Sequence, residues 1–283
     1  MKTEKLGMEH RALLDGLLKR AGTPVSEYSF ANLYLFRKAH GYEVLTDGDV
    51  FVRGRTYDGF ACVMPVQGIA ATDLDTLKKT AGDADFVFPV PEAHLEFLRG
   101  KDFESTYNEG DSDYIYDIEK MAAYKGSRLH GKKNLLNQFL ARYSAEGLPL
   151  TADRMKDAAS VLDQWQEDVG EPREATDYFP CLEAFETYES LGLCGGIYMA
   201  DGEPAGFIIG EELNGDTFAL HFAKGKRKFK GMYQYMYNNF AKILPKKYKY
   251  FNFEQDMGKL ALKIAKSSYY PDAMLKKMRV SFR

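Results

Sequence analysis

Two short turn signals, Asp201-Gly202 and Asn214-Gly215, divide residues 193–223 into three apolar-rich segments, LCGGIYMA, PAGFIIGEEL and DTFALHFA. Gly and Asn reach tight-turn geometry at little cost, so the pattern predicts three antiparallel strands joined by two short turns. The next segment, FKGMYQYMYNNFAKIL, changes period. Its apolar positions 229, 232, 233, 236, 237, 240, 243 and 244 follow the i, i+3, i+4, i+7 spacing of an amphipathic helix. A strand (YKYFNF), a helix (MGKLALKIAKS) and a last strand near LKKMRVSF complete this half.

Upstream, KKNLLNQFLARY, TADRMKDAASVLDQWQEDVG and EATDYFPCLEAFETYES read as helices, the second capped by Thr151 and stopped by Gly170. The N-terminal third gives a shorter version of the same order. Helices over Leu6 to Arg20 and SEYSFANLYLFRKAH precede YEVLT and VFVRG, which flank Asp47-Gly48. YDGFACVMPVQG, FVFPV, FESTYNE and YIYDI add strands, with a Thr-capped helix in ATDLDTLKKT and a Pro-started helix in PEAHLEFLRG. The expected fold is therefore α+β: two related halves, each a mixed, largely antiparallel sheet flanked by helices. The expected domains are 1–118, a helical connection at 119–150, and 151–283.

The net charge of -3 hides a division. Residues 224–283 hold 16 Lys or Arg against Glu254, Asp256 and Asp272, a balance of +13; the first 223 residues sum to -16. Such asymmetry points to an anionic ligand near the C-terminal half, the alternative being that the two poles pair with each other. Cys62, Cys181 and Cys194 are odd in number and widely spaced, so neither a disulfide framework nor a zinc site is indicated, and free thiols suit a cytoplasmic protein. The five histidines form no HExxH, and GxSxG and GxxxxGK[ST] are absent, which leaves no metal expected and removes serine-hydrolase and P-loop chemistry. No run reaches the length of a membrane-spanning helix.

The C-terminal element order resembles the GNAT acyltransferase fold. SEYSFANLYLFR, DYIYDIEKMAAYKGSRLHGKKNLLNQF and YFNFEQDMGKLALKIAKSSYYP together resemble the soluble bacterial family related to the C-terminal domain of phosphatidylglycerol lysyltransferase. The resemblance implies two GNAT-like halves, as in lysyltransferases and Fem-type aminoacyltransferases, whose donor is an aminoacyl-tRNA. It implies transfer of an acyl or aminoacyl group to an amine or hydroxyl, with no permanently bound cofactor. The alternatives are acetyl-CoA-dependent N-acetylation and a non-catalytic RNA- or anion-binding role. Partners would be tRNA or CoA; the acceptor stays open, and peripheral contact with lipid is compatible with the chain.

Several residues are candidates for these roles. Lys226, Arg227, Lys228 and Lys230 crowd the start of the 229–244 helix, where each cation is unfavourable by about 0.3–1 kcal/mol unless an anion is bound. The alternative is that they splay into water. Gly231 matches the middle glycine of the GNAT pyrophosphate loop, but Tyr233 stands where a small residue is usual, which weakens acetyl-CoA binding. A second basic segment, residues 120–142, carries six cations and no acid, among them Lys132 and Lys133; it is either part of a positive groove or a solvated helix face. In FNFEQD, Glu254 is the candidate base for the acceptor's proton, with Asn252, Gln255 and Asp256 orienting substrate; Asp256 could equally cap the following helix. Tyr269 and Tyr270 in SSYYP are the candidates to protonate the leaving group, as GNAT tyrosines do, or else they pack in the core.

Overall fold

The computed structural model describes residues 2–282. In chain order the strands and helices are β1 (Lys2–Lys5), α1 (Arg11–Arg20), α2 (Phe30–His40), β2 (Glu43–Asp47), β3 (Asp49–Arg55), β4 (Ala61–Pro65), α3 (Leu74–Ala81), β5 (Phe86–Pro91) and β6 (Phe103–Tyr107). They continue with β7 (Asp113–Asp117), α4 (Ile118–Ala123), α5 (His130–Arg142), β8 (Ala145–Pro149), α6 (Met155–Val169), α7 (Tyr178–Glu186), α8 (Tyr188–Leu191), β9 (Cys194–Ala200), β10 (Glu203–Glu212) and β11 (Thr217–Gly225). The last elements are α9 (Met232–Ile243), β12 (Tyr250–Asn252), α10 (Leu260–Ser267), β13 (Ala273–Leu275) and β14 (Lys277–Phe282).

Among the described residues the strands form two seven-stranded sheets, in the orders β1-β2-β3-β4-β5-β14-β6 and β13-β7-β12-β11-β10-β9-β8. Each is mixed and largely antiparallel, with parallel pairing at β4–β5 in the first and β11–β12 in the second. The chain's last strand thus lies in the first sheet, between β5 and β6. Two compact units result, and they interleave along the sequence: one takes residues up to Tyr114 together with 254–264 and 273 onward, the other takes 115–253 and 265–272.

The first unit closes its core with Leu45, Phe51, Val63, Leu77, Val87, Val90 and Val280, from five strands and α3. Helix α2 begins where Ser29 accepts from the Asn32 N–H and ends at Gly41 with φ 61°, an N-cap and a left-handed C-cap that fix both boundaries. Helix α3 is capped by Asp73, whose carboxylate accepts from Thr76, and not by the threonine before it. PEAHLEFLRG forms only a 3-10 helix over Glu92–Leu98.

In the second unit, Phe207, Ile208, Ile209, Phe218 and Phe222 of the central strands are buried together with Val161 and Leu162 of α6 and Met236 and Phe240 of α9. The expected β9–β10–β11 meander is present. Its first turn uses Asp201 and Gly202 at φ 52° and 78°, as a type I′ turn requires. Its second is held by the Asn214 carboxamide, which accepts from the N–H groups of Asp216 and Thr217. Thr151 does not cap α6, because a 3-10 turn over Ala152–Arg154 intervenes and the Thr151 hydroxyl goes to Asp153.

Candidate functional site

In the first unit the FNFEQDMG turn is the focus. Glu254, Met257 and Gly258 have φ of 59°, 56° and 69°, a concentration of left-handed backbone that costs energy at the two non-glycine positions. Surrounding contacts hold it. Asp256 accepts from the Tyr114 hydroxyl at 2.6 Å and from the Gly258 N–H at 2.8 Å, so it closes the turn ahead of α10, which starts only at Leu260. The Met257 N–H donates to the Gly110 carbonyl, and a Cβ on Gly110 would lie 2.6 Å from the Gly258 nitrogen. Glu254 accepts from the Asn32 carboxamide at 2.9 Å.

Behind the turn lies a buried ionic network. Lys277, fully buried, donates to both oxygens of Glu27 at 2.8 Å, to Asp113 at 2.7 Å and to the side-chain oxygen of Gln255. Ser26 adds its N–H and hydroxyl to Asp113 at 2.8 and 3.1 Å. Burial pushes the Glu27 carboxyl up to about 7, against the pull of the Lys277 ammonium. Burial disfavours the Lys277 charge too, but Asp113 and Glu27 outweigh it and hold its pKa above the ordinary lysine value. Two positions on, Arg279 bonds Asp111 at 2.7 and 3.0 Å and Asp58 at 2.8 and 3.1 Å.

The SEYSFAN segment, Asp113 and Tyr114, the Glu254–Asp256 turn and the KKMRV strand therefore meet in this unit. Sequence reasoning assigned no role to Ser26, Glu27, Asn32, Asp113, Lys277 or Arg279. The available signal was charge inside strand-like runs: Lys277 and Arg279 alternate along β14, and Asp113 starts the strand DYIYD ahead of three apolar or aromatic residues.

The second unit holds the remaining candidates. Strand β11 pairs with β12 only over Thr217–Ala219, although it runs on to Gly225. Beyond Ala219 its β12-facing edge has no strand partner among the described residues, the kind of edge to which an extended ligand can add. Tyr233 closes part of it by accepting from the Gly225 N–H at 3.2 Å. Ring contacts run on from Tyr233 to Tyr237, and from Tyr237 to Phe253 at 4.8 Å and Tyr269 at 5.4 Å. Asn252 is fully buried at the end of β12.

At the start of α9 the expected cations are largely compensated. Lys226 and Lys228 share Glu203 at 2.9 and 2.6 Å, the Arg227 N–H donates to Asp168, and Arg227 and Lys230 project outward. Gly231, at φ 95°, is needed for packing: a Cβ there would lie 2.6 Å from the Leu135 carbonyl oxygen of α5 and 2.9 Å from the Phe139 Cβ. Lys224 bonds Asp177 at 2.7 Å and lies 3.8 Å from the Trp165 ring centre.

Helix α5 differs. Lys132 is half-buried, donates to the Ser268 hydroxyl at 2.6 Å and stands 4.0 Å from the Tyr269 ring centre, with burial lowering its pKa. Among the described residues Lys132 has no carboxylate partner, and neither do the exposed Arg128 and Lys133. Tyr269 is buried and accepts from the Gln234 carboxamide at 2.8 Å, and burial holds its hydroxyl well above the ordinary tyrosine pKa. Tyr270 is 44% exposed, with the Arg128 guanidinium 5.7 Å from its ring centre. Lys132, Tyr269 and Tyr270 thus come together in this unit, whereas Glu254, Gln255 and Asp256 belong to the first.

Two mixed sheets of seven strands, each flanked by helices, define an α+β fold in two halves. A profile of the family described as phosphatidylglycerol lysyltransferase, C-terminal, matches residues 19–280, and the chain belongs to that family. A conserved protein of unknown function from Bacteroides thetaiotaomicron superposes with a TM-score of 0.87 at 25% identity over all of both chains. The L-PGS structure from Bacillus licheniformis gives 0.59 at 13% identity over 96% of this chain and 91% of that one. FemX gives 0.55 at 10% identity, over 100% and 98%; these two likenesses concern the fold alone. An uncharacterized protein of Mycoplasmoides gallisepticum is 23% identical over 193 residues, a match spanning 66% of this chain and 61% of that protein. No helix among the described residues is long and apolar enough to cross a membrane.

Proposed function

We propose that this protein is an aminoacyltransferase that takes its aminoacyl group from aminoacyl-tRNA and passes it to an amine or hydroxyl acceptor. The observation that carries this reading is the contrast between two sets of cations. Of the four at the start of α9, where a CoA pyrophosphate would bind, Lys226 and Lys228 are paired with Glu203, and Tyr233 takes up the Gly225 N–H of the adjoining strand edge. Arg128, Lys132 and Lys133, on and just before α5, have no carboxylate partner among the described residues, a distribution suited to a phosphate backbone, whereas Lys120 in α4 pairs with Asp272.

The chemistry needs little from the protein beyond placement and proton transfer. The acceptor nitrogen or oxygen attacks the aminoacyl ester carbonyl, forming the new amide or ester bond, and the tRNA ribose oxygen leaves. The acceptor's proton passes to water. Tyr269 is assigned the proton for the departing ribose oxygen, since burial keeps its hydroxyl protonated and Gln234 occupies the oxygen as a donor.

Filter binding of bulk tRNA across a salt series tests the donor assignment. The wild type should bind with strongly salt-dependent affinity. The Arg128→Glu/Lys132→Glu/Lys133→Glu variant should bind at least about tenfold more weakly and with a shallower salt slope. Equal binding by the two proteins would remove α5 from the donor site.

A further inference from the structure

Helix α10 has an unusual surface for a folded chain. None of its residues is buried, and its two largest apolar side chains, Leu260 and Ile264, are 70% and 60% exposed. They stand four residues apart and so share one helix face. Lys259 and Lys263 repeat that spacing one position earlier, and residues 259–270 carry three lysines and no acid. Lys263 reaches Glu109 at 2.8 Å, and two residues before Glu109 the exposed Tyr107 ends β6, with the Lys276 ammonium 5.5 Å from its ring centre. Lys276 also pairs with Glu92 at 2.9 Å. Both ion pairs are solvent-exposed, so they are weak and readily exchanged for other anions.

Two aliphatic side chains and one tyrosine are far too little area for a stable second copy, which needs about 800 Å² on each partner. An exposed apolar pair flanked by lysines suits the boundary between headgroups and acyl chains. We propose that α10 is a membrane-surface anchor, in which Leu260 and Ile264 enter the acyl boundary of an anionic leaflet while Lys259, Lys263 and Lys276 meet headgroup phosphates. This surface is independent of the transfer chemistry, and its failure would leave transfer to a soluble acceptor untouched.

Flotation of the full chain with vesicles tests it, using pure phosphatidylcholine and phosphatidylcholine with one third phosphatidylglycerol. The wild type should float with the anionic vesicles, less so as salt rises, and only weakly with the neutral ones. Leu260→Gln/Ile264→Gln, at exposed positions and checked for an unchanged circular dichroism spectrum, should lose at least about tenfold in partitioning. Lys263→Glu should reduce the preference for anionic over neutral vesicles. The proposal is overturned if the wild type does not float with anionic vesicles, if the double variant floats equally well, or if Lys263→Glu leaves the lipid preference unchanged. It is also overturned if light scattering finds a dimer that the double variant loses while vesicle binding is absent, since the occupant would then be a second copy.

Discussion

Replacing Lys277 with methionine would leave Glu27 and Asp113 without their shared countercharge at a site where the three side chains are between 0% and 7% exposed. Removing one member of a buried ion pair costs about 3–5 kcal/mol, because the remaining charge is neither solvated nor compensated. Here two carboxylates are stranded, so the upper part of that range is expected at pH 8. The cost is pH-dependent. Glu27 already sits at about 7 with the lysine present, against an ordinary 4.5, and loss of the ammonium moves it further up. At pH 5 the folded variant therefore holds Glu27 neutral, and the destabilisation shrinks. Urea unfolding followed by far-ultraviolet circular dichroism at pH 8 and pH 5 measures both quantities. A loss below about 1 kcal/mol at pH 8, or the same loss at both pH values, would refute the network as described.

Three further outcomes are expected. Glu27→Gln removes a carboxyl whose folded pKa is raised; the folded state binds the extra proton between pH 4.5 and about 7, so wild-type stability falls as pH rises through that window and the variant's should not. An identical pH profile for the two proteins would contradict the raised value. Gly231→Ala forces a left-handed residue against the Leu135 carbonyl and should cost about 2–4 kcal/mol in a denaturant titration; an unchanged midpoint would mean that α5 and α9 do not approach this closely. Glu203→Ala frees the exposed Lys228 and leaves the buried Lys226 without its carboxylate, so stability should fall by about 1–3 kcal/mol and tRNA affinity should rise. A fall in affinity would make the Glu203 cluster part of the donor site.

Local signals carried much of the fold. The Asp201-Gly202 turn and the apolar period of residues 229–244 specify the β9–β10–β11 meander and α9 because turn conformation and helical amphipathicity are properties of neighbouring residues. The place of β14 is not such a property. Its register is set against β5 and β6, more than 150 residues earlier, and its alternating Lys277 and Arg279 look like a solvated face until their partners are known. Lys226 and Lys228 show the reverse case: their clustering was visible in the sequence, and the carboxylate that compensates them, Glu203, lies on another strand. Short 3-10 segments at Glu92–Leu98 and Ala152–Arg154 read as helix because the same residues favour both geometries.

Release of a radiolabelled amino acid from charged tRNA, with a crude extract as acceptor and acetyl-CoA as the comparison donor, tests the proposed activity most directly. The account predicts protein-dependent transfer of label from tRNA into the acceptor fraction, at least about tenfold slower with Tyr269→Phe, and no transfer of acetyl from acetyl-CoA. Label that leaves tRNA no faster than without protein, even though tRNA is bound, or acetyl transfer in its place, would contradict it.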